Sequence, residues 1–229
     1  MAKAKMKKLS EVSTFPFVFE NKNFLAPGLS NYKNESVDLK GKWNETVFHN
    51  TNPIILELAC GKADYTISLA QKFPHINFIG VDIKGDRIWK GANRVVEHNL
   101  NNVSFLRTKI DQIDLFFEAN EVDEIWITFP DPFPKKGDIN KRLSYSTFLE
   151  KYKQIAKANG ILHFKTDAID LFDFTEESIK EFGWALTRVE RDIYGKGIAD
   201  EITSIKTFYE MMHLADGRKI NYLQAIISK

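Results

Sequence analysis

The sequence predicts an α/β fold with a mostly parallel sheet and helices on both faces, and two observations carry that prediction. From Pro53 onward, short β-rich apolar runs alternate with segments whose apolar residues recur at helical spacing. Repeated strand–helix alternation calls for parallel strands covered on both sides. At 229 residues with 43% hydrophobic content, the chain can bury one sizeable core.

The elements follow in order. The first fifty residues lack sustained periodicity: a lysine-rich start, the aromatic stretch Phe15-Pro16-Phe17-Val18-Phe19, then Pro27-Gly28 and a polar run to Asn50. They read as an arm, 1–50, packed on or beside a domain at 51–229. Seven strands are expected: Ile54–Leu58, Asn77–Asp82, Val103–Arg107, 124–129, 161–165, 185–192 and 219–227. Helical spacing joins Ile67, Ala70 and Phe73, then Ile88, Ala92, Val95 and Val96, and later Phe148, Leu149, Tyr152, Ile155 and Ala156. The last two strands are more polar, as expected of antiparallel pairing at an edge.

Composition narrows the function classes. With 32 Lys+Arg against 31 Asp+Glu, total charge cannot drive binding to an anionic polymer, so any such partner must meet a local patch. The single cysteine, Cys60, cannot form an internal disulfide, and the five histidines show no metal-ligand spacing; a reducing compartment and no structural metal are expected. The start at Met1 to Lys8 has no apolar stretch after its lysines, and no run approaches the roughly 18 apolar residues of a membrane span. A cytoplasmic location is the simplest expectation.

In such a sheet, ligands bind at the carboxyl ends of the strands, where strand order reverses. The first strand runs into Glu57-Leu58-Ala59-Cys60-Gly61-Lys62-Ala63, whose alternating small residues permit a tight turn and close approach of a ligand. The spacing is not the dinucleotide fingerprint, and Glu57 would repel a pyrophosphate. Asp82, 21 residues after Gly61, ends the second strand where a carboxylate accepts both hydroxyls of a ribose. An adenosine moiety fits, although an ordinary turn at Gly61 and a helix cap at Asp82 explain each residue alone. Cys60 reads as a small filler.

The fourth strand ends in Thr128-Phe129-Pro130-Asp131-Pro132-Phe133-Pro134-Lys135-Lys136. Alternating prolines make this loop stiff and extended, presenting Asp131 and Phe133 with little freedom to lose. A carboxylate beside an aromatic ring suits a planar, partly cationic base. Lys135, Lys136, Lys141 and Arg142 follow, within reach of phosphates.

On these residues the sequence resembles the bacterial tRNA (guanine-N7)-methyltransferase family, class I enzymes dependent on S-adenosylmethionine. The most specific motif is Phe-Pro-Asp-Pro-Phe-Pro-Lys-Lys with Lys141-Arg142; Phe164-Lys165-Thr166-Asp167 and Thr207-Phe208-Tyr209-Glu210 also match. The resemblance implies a Rossmann-like methyltransferase fold. It implies that Glu57, Gly61, Asp82 and Asp131 serve the cofactor, with Asp131 also catalytic. Lys135, Asp167, Thr207 and Glu210 would line the guanine site, and Lys136, Lys141 and Arg142 would face RNA. Lys109 falls where the family has an adenine-contacting aspartate. A lysine cannot accept a bond from the adenine amino group, so that contact passes to Asp111 or to a backbone carbonyl. Ala59 and Ala63 stand where the family usually has glycine, Asp82 where it has glutamate, and Phe133 where it has tryptophan.

The implied activity is methyl transfer to N7 of guanine in tRNA, at position 46 of the variable loop. Two other readings stay open: an exocyclic-amino methyltransferase, and a tRNA-binding module without chemistry. Simpler roles stand beside the implied ones: Asp167 as a helix cap, Thr207-x-x-Glu210 as a capping box, and Arg87, Lys90 and Arg94 as a solvated helix face. Whether the chain is a monomer or a homodimer is not encoded in these patterns.

Overall fold

Strands β4 (Ile54–Leu58) and β5 (Asn77–Asp82) are buried at every position, and β6 (Val103–Arg107) at all but its last. They form the parallel centre of a sheet in the computed structural model, which describes residues 2–229, with side chains from Lys5 onward. The other strands are β1 (Val18–Asn21), β2 (Leu29–Ser30), β3 (Ser36–Val37), β7 (Val122–Thr128), β8 (Ala156–Thr166), β9 (Ala185–Glu190) and β10 (Asn221–Ile226). Their order across the sheet is β3-β2-β1-β6-β5-β4-β7-β8-β10-β9. From β4 the chain steps outward through β5 to β6, then returns to place β7 and β8 on the other side of β4. Strand order therefore reverses between β4 and β7, and the crevice beyond their carboxyl ends is the natural ligand position.

Helices α2 (Asp64–Lys72) and α3 (Gly85–Glu97) lie on one face, and α4 (Ser146–Ile155) and α5 (Ile169–Glu181) on the other. One core layer gathers Leu56, Ile79, Ile125, Leu149 and Phe172; the opposite layer gathers Ile55, Tyr65, Ile67, Ile88 and Phe105. Gly91 lets α3 lie close to the sheet, since a Cβ there would come within 2.8 Å of both Ala63 Cβ and the Phe105 ring. Helix α6 (Phe208–Ala215) precedes the last strand.

The fold class is as expected, with ten strands among the described residues in place of seven. The three additional strands come from the segment read as an arm. β1 pairs in parallel with β6, Val18 opposite Phe105, and extends the sheet through β2 and β3. Helix α1 (Ala2–Val12) packs along α3, where Glu11 accepts a 2.8 Å bond from the Trp89 indole. Met1, the first residue of the arm, lies outside the described residues. β7 begins at Val122 and β8 at Ala156, earlier than the apolar runs, because Val122 and Ala156 pair with each other. Ala156 is thus a strand residue and not the end of a helix. β10 lies antiparallel between β8 and β9, in keeping with the expected polar edge.

Candidate active site

The turn after β4 carries left-handed backbone at three alternate positions, Ala59, Gly61 and Ala63, with φ of 57°, 57° and 58°. This corkscrew aims the Gly61 N–H at Asp82 Oδ2, 2.9 Å away at the end of β5. The other Asp82 oxygen accepts from the Lys84 N–H at 2.8 Å, so both oxygens are oriented by backbone. A Cβ on Gly61 would have no atom nearer than the Ala59 carbonyl at 4.0 Å; the glycine faces open space that a side chain would fill.

Two adjoining cavities occupy the crevice. The larger, about 660 Å³, is lined by Asp82, Lys109, Asp111, Asp131, Phe133 and Lys141 among others. The smaller, about 50 Å³, is lined by Glu57, Gly61, Lys62, Asp64, Thr128 and Thr207 among others. Glu57 is buried in β4, and its Oε2 accepts from both the amide and the hydroxyl of Thr66. Its Oε1 accepts from the Thr128 hydroxyl at 2.8 Å. Burial outweighs these bonds and raises the carboxyl to about 7. Burial, together with the Asp82 and Glu57 carboxylates, likewise pushes the Cys60 thiol well up, consistent with a filler and inconsistent with a nucleophile.

Asp131 projects into the larger cavity from a loop that is not simply extended. Phe129 and Phe133, on either side of it, hold φ at 49° and 43°, a costly conformation for aromatic residues. The strained turn is held by the far end of the same loop. The Arg142 guanidinium donates from Nε to the Pro132 carbonyl at 3.1 Å and from Nη2 to the Phe133 carbonyl at 3.2 Å, and lies 4.6 Å from the Phe174 ring centroid.

That geometry corrects the reading of Arg142 as an RNA contact: it is 7% exposed and engaged with its own loop. Lys136 is exposed, while Lys141 pairs with Asp138 at 2.6 Å on the cavity wall. Lys135 is exposed ahead of the 3-10 turn Lys136–Lys141 and lines neither cavity. Lys109 lines the larger cavity with its ammonium 4.8 Å from the Phe24 ring centroid, and Asp111 lies on the same wall.

Three residues implied at the guanine site have structural partners. Asp167 is not a helix cap; it pairs with Arg218 at 2.8 Å and with His213 at 3.6 Å. Thr207 and Glu210 form the capping box of α6. Glu210 is fully buried against Lys165 at 2.6 Å and lines neither cavity, whereas Thr207 reaches the smaller one. Sequence reasoning missed Thr66 and Thr128, which hold Glu57, and Lys165, whose ammonium also donates to the carbonyls of Thr203 and Ile205. A lysine inside the apolar strand 161–165 was the available signal for the last.

The reversed strand order, with carboxylates at the ends of β4, β5 and β7 lining the crevice, defines a doubly wound α/β protein with a ligand site at the switch point, and the comparisons place it among the methyltransferases. A family model described as "Putative methyltransferase" matches residues 51–223. A tRNA (guanine-N(7)-)-methyltransferase of Bacteroides fragilis is 42% identical over 99% of this chain and 87% of its own length. Among solved structures, the 16S rRNA methyltransferase KamB superposes with a TM-score of 0.64 at 13% identity, over 85% of this chain and 97% of that one. A tryptophan-to-alanine mutant of the 16S rRNA (adenine(1408)-N(1))-methyltransferase from Catenulisporales acidiphilia, solved with its cosubstrate S-adenosylmethionine, gives 0.58 at 14% identity, over 85% and 94%. The chain belongs to the tRNA (guanine-N7)-methyltransferase family.

Proposed function

We infer that this chain transfers the methyl group of S-adenosyl-L-methionine to N7 of guanine in tRNA, the target being position 46 in the variable loop. The observation that carries the reading is Asp131, a carboxylate in the larger cavity next to Phe133, in a chain 42% identical to a named relative over nearly its whole length. Residues 51–229 make up the methyltransferase domain, and β1, β2 and β3 of the preceding arm extend its sheet. The enzyme acts in the cytoplasm; no described helix is long and apolar enough to cross a membrane.

The residues present suit the cofactor. Asp82, oriented by two backbone N–H groups, is ready to accept from ribose hydroxyls, and the open face of Gly61 leaves room for the chain beyond the sugar. Asp111 offers an acceptor on the adenosine side of the cavity where Lys109 cannot. When bound, S-adenosylmethionine supplies an electrophilic methyl on a sulfonium. Guanine N7 carries a lone pair and no proton, so no side chain has to act as a base. Rate must come from alignment and electrostatics. Asp131 stabilises the base as positive charge grows on its imidazole ring, while Lys136 and Lys141 attract the phosphates.

Asp131→Asn keeps size and one acceptor and removes the charge. It is expected to fold, to bind tRNA, and to lose about 2–4 kcal/mol of transition-state stabilisation, read as single-turnover rates. Because no proton leaves N7, raising the pH should not rescue the variant. Near wild-type rates would make Asp131 a turn residue and nothing more.

A further inference from the structure

Arg87 has no task in the account above. It stands in the first turn of α3, half-buried, and is shared with Ala59 between the walls of the two cavities. Among the described residues no carboxylate lies within 4.0 Å of its guanidinium, whereas Arg94, farther along the same helix, is paired with Asp64 at 2.7 Å. Of the other charges of the smaller cavity, the carboxylates already accept protein hydrogen bonds and Lys62 lies against aromatic rings. The Lys62 ammonium sits 4.0 Å from the Phe208 ring centroid, and Asp64 accepts from Arg94 and from the Phe208 N–H. Glu57 is bonded to two threonines. Arg87 is the one cation that lines both cavities, and among the described residues its guanidinium donors have no partner.

The shape of the cavities says which part of a ligand arrives there. The larger can take a nucleoside, with Asp82 for its ribose, and the smaller has room only for a small group. With the ribose at Asp82 and the transfer centre at Asp131, the amino-acid end of S-adenosylmethionine must run toward the smaller cavity. That end carries an ammonium and a carboxylate on one carbon. The acidic side of the cavity, at Glu57, suits the ammonium; the carboxylate needs a cation opposite. A guanidinium is the side chain whose planar donors match a carboxylate best.

We propose that Arg87 binds the α-carboxylate of the methionine half of S-adenosylmethionine. The assignment rests on the cofactor reading above and goes beyond it by naming the residue that distinguishes the intact amino acid from a decarboxylated one. Arg87 is a binding residue here, not a catalytic one.

The test is calorimetry with three probes: S-adenosylmethionine, its decarboxylated analogue, and 5′-methylthioadenosine, which lacks the whole amino-acid end. Wild-type protein should bind S-adenosylmethionine about tenfold or more tightly than the decarboxylated analogue, the scale of one charged hydrogen-bonded contact. Arg87→Gln should erase that preference by weakening S-adenosylmethionine alone, with 5′-methylthioadenosine unchanged, and Arg87→Lys should restore part of it. Equal binding of S-adenosylmethionine and its decarboxylated analogue by the wild type would overturn the assignment without recourse to any variant. Equal weakening of all three probes in Arg87→Gln would also overturn it, marking Arg87 as structural. Failure of the wild type to bind any probe would instead refute the cofactor reading itself.

Discussion

Glu57 carries a charge conflict that a stability measurement can read. Its carboxyl titrates at about 7 in the folded protein against an ordinary value of 4.5, because burial disfavours the anion more than Thr66 and Thr128 favour it. Between those two values the unfolded chain has given up a proton that the folded chain keeps, so stability falls as pH rises from about 4.5 to about 7 and is level above. The shift corresponds to about 3 kcal/mol. Urea unfolding at pH 5, 6 and 8 should show that slope in the wild type and lose it in Glu57→Gln. A variant with the same pH dependence as the wild type would place the titrating group elsewhere. A bound cation near Glu57 favours the anion, so cofactor affinity should rise with pH over the same interval.

The loop from Phe129 to Arg142 shows how an element can hide its purpose from the sequence. The prolines, Asp131 and the basic cluster were all legible, and Asp131 and Phe133 do line the cavity. What was not legible is that Arg142 turns inward, because a run of cations gives no sign of which one folds back on its own loop. The two roles predict different outcomes. Arg142→Ala leaves the carbonyls of Pro132 and Phe133 without that donor and should cost about 1–3 kcal/mol of stability with slowed methyl transfer. Lys136→Ala should leave the melting temperature unchanged and lower the slope of log tRNA affinity against log salt by about one. A reduced salt slope in Arg142→Ala at unchanged stability would return that residue to the RNA face. The central strands were easier. β4, β5 and β6 were read end to end because strands buried on both faces are near-continuous apolar runs, whereas β1 is four residues whose pairing partners in β6 lie 87 residues along the chain, Val18 opposite Phe105.

At the scale of the whole molecule, the segment between β9 and β10 is fastened over the sheet by one buried polar network. Lys165 in β8 meets Glu210 of α6 at 2.6 Å with neither side chain exposed, and Tyr194 donates to Glu210 at 2.7 Å. Burial lowers the affinity of Lys165 for its proton even beside Glu210. A matching sequence motif assigned Glu210 to substrate because a motif records which residues recur and not which way they face. Lys165→Met should destabilise the fold by about 3–5 kcal/mol by leaving Glu210 buried and uncompensated. Adding Glu210→Leu should recover a large part of that loss, as urea unfolding of both variants would show. A single variant as stable as the wild type would mean that the pair does not hold the segment.

The claim that joins these scales is the identity of the modified atom. Unmodified tRNA incubated with this protein and S-adenosylmethionine, digested to nucleosides and mapped by mass and retention, should yield N7-methylguanosine from the variable loop. Methyl on an exocyclic base nitrogen, or no methylated nucleoside from folded, cofactor-binding protein, would contradict it.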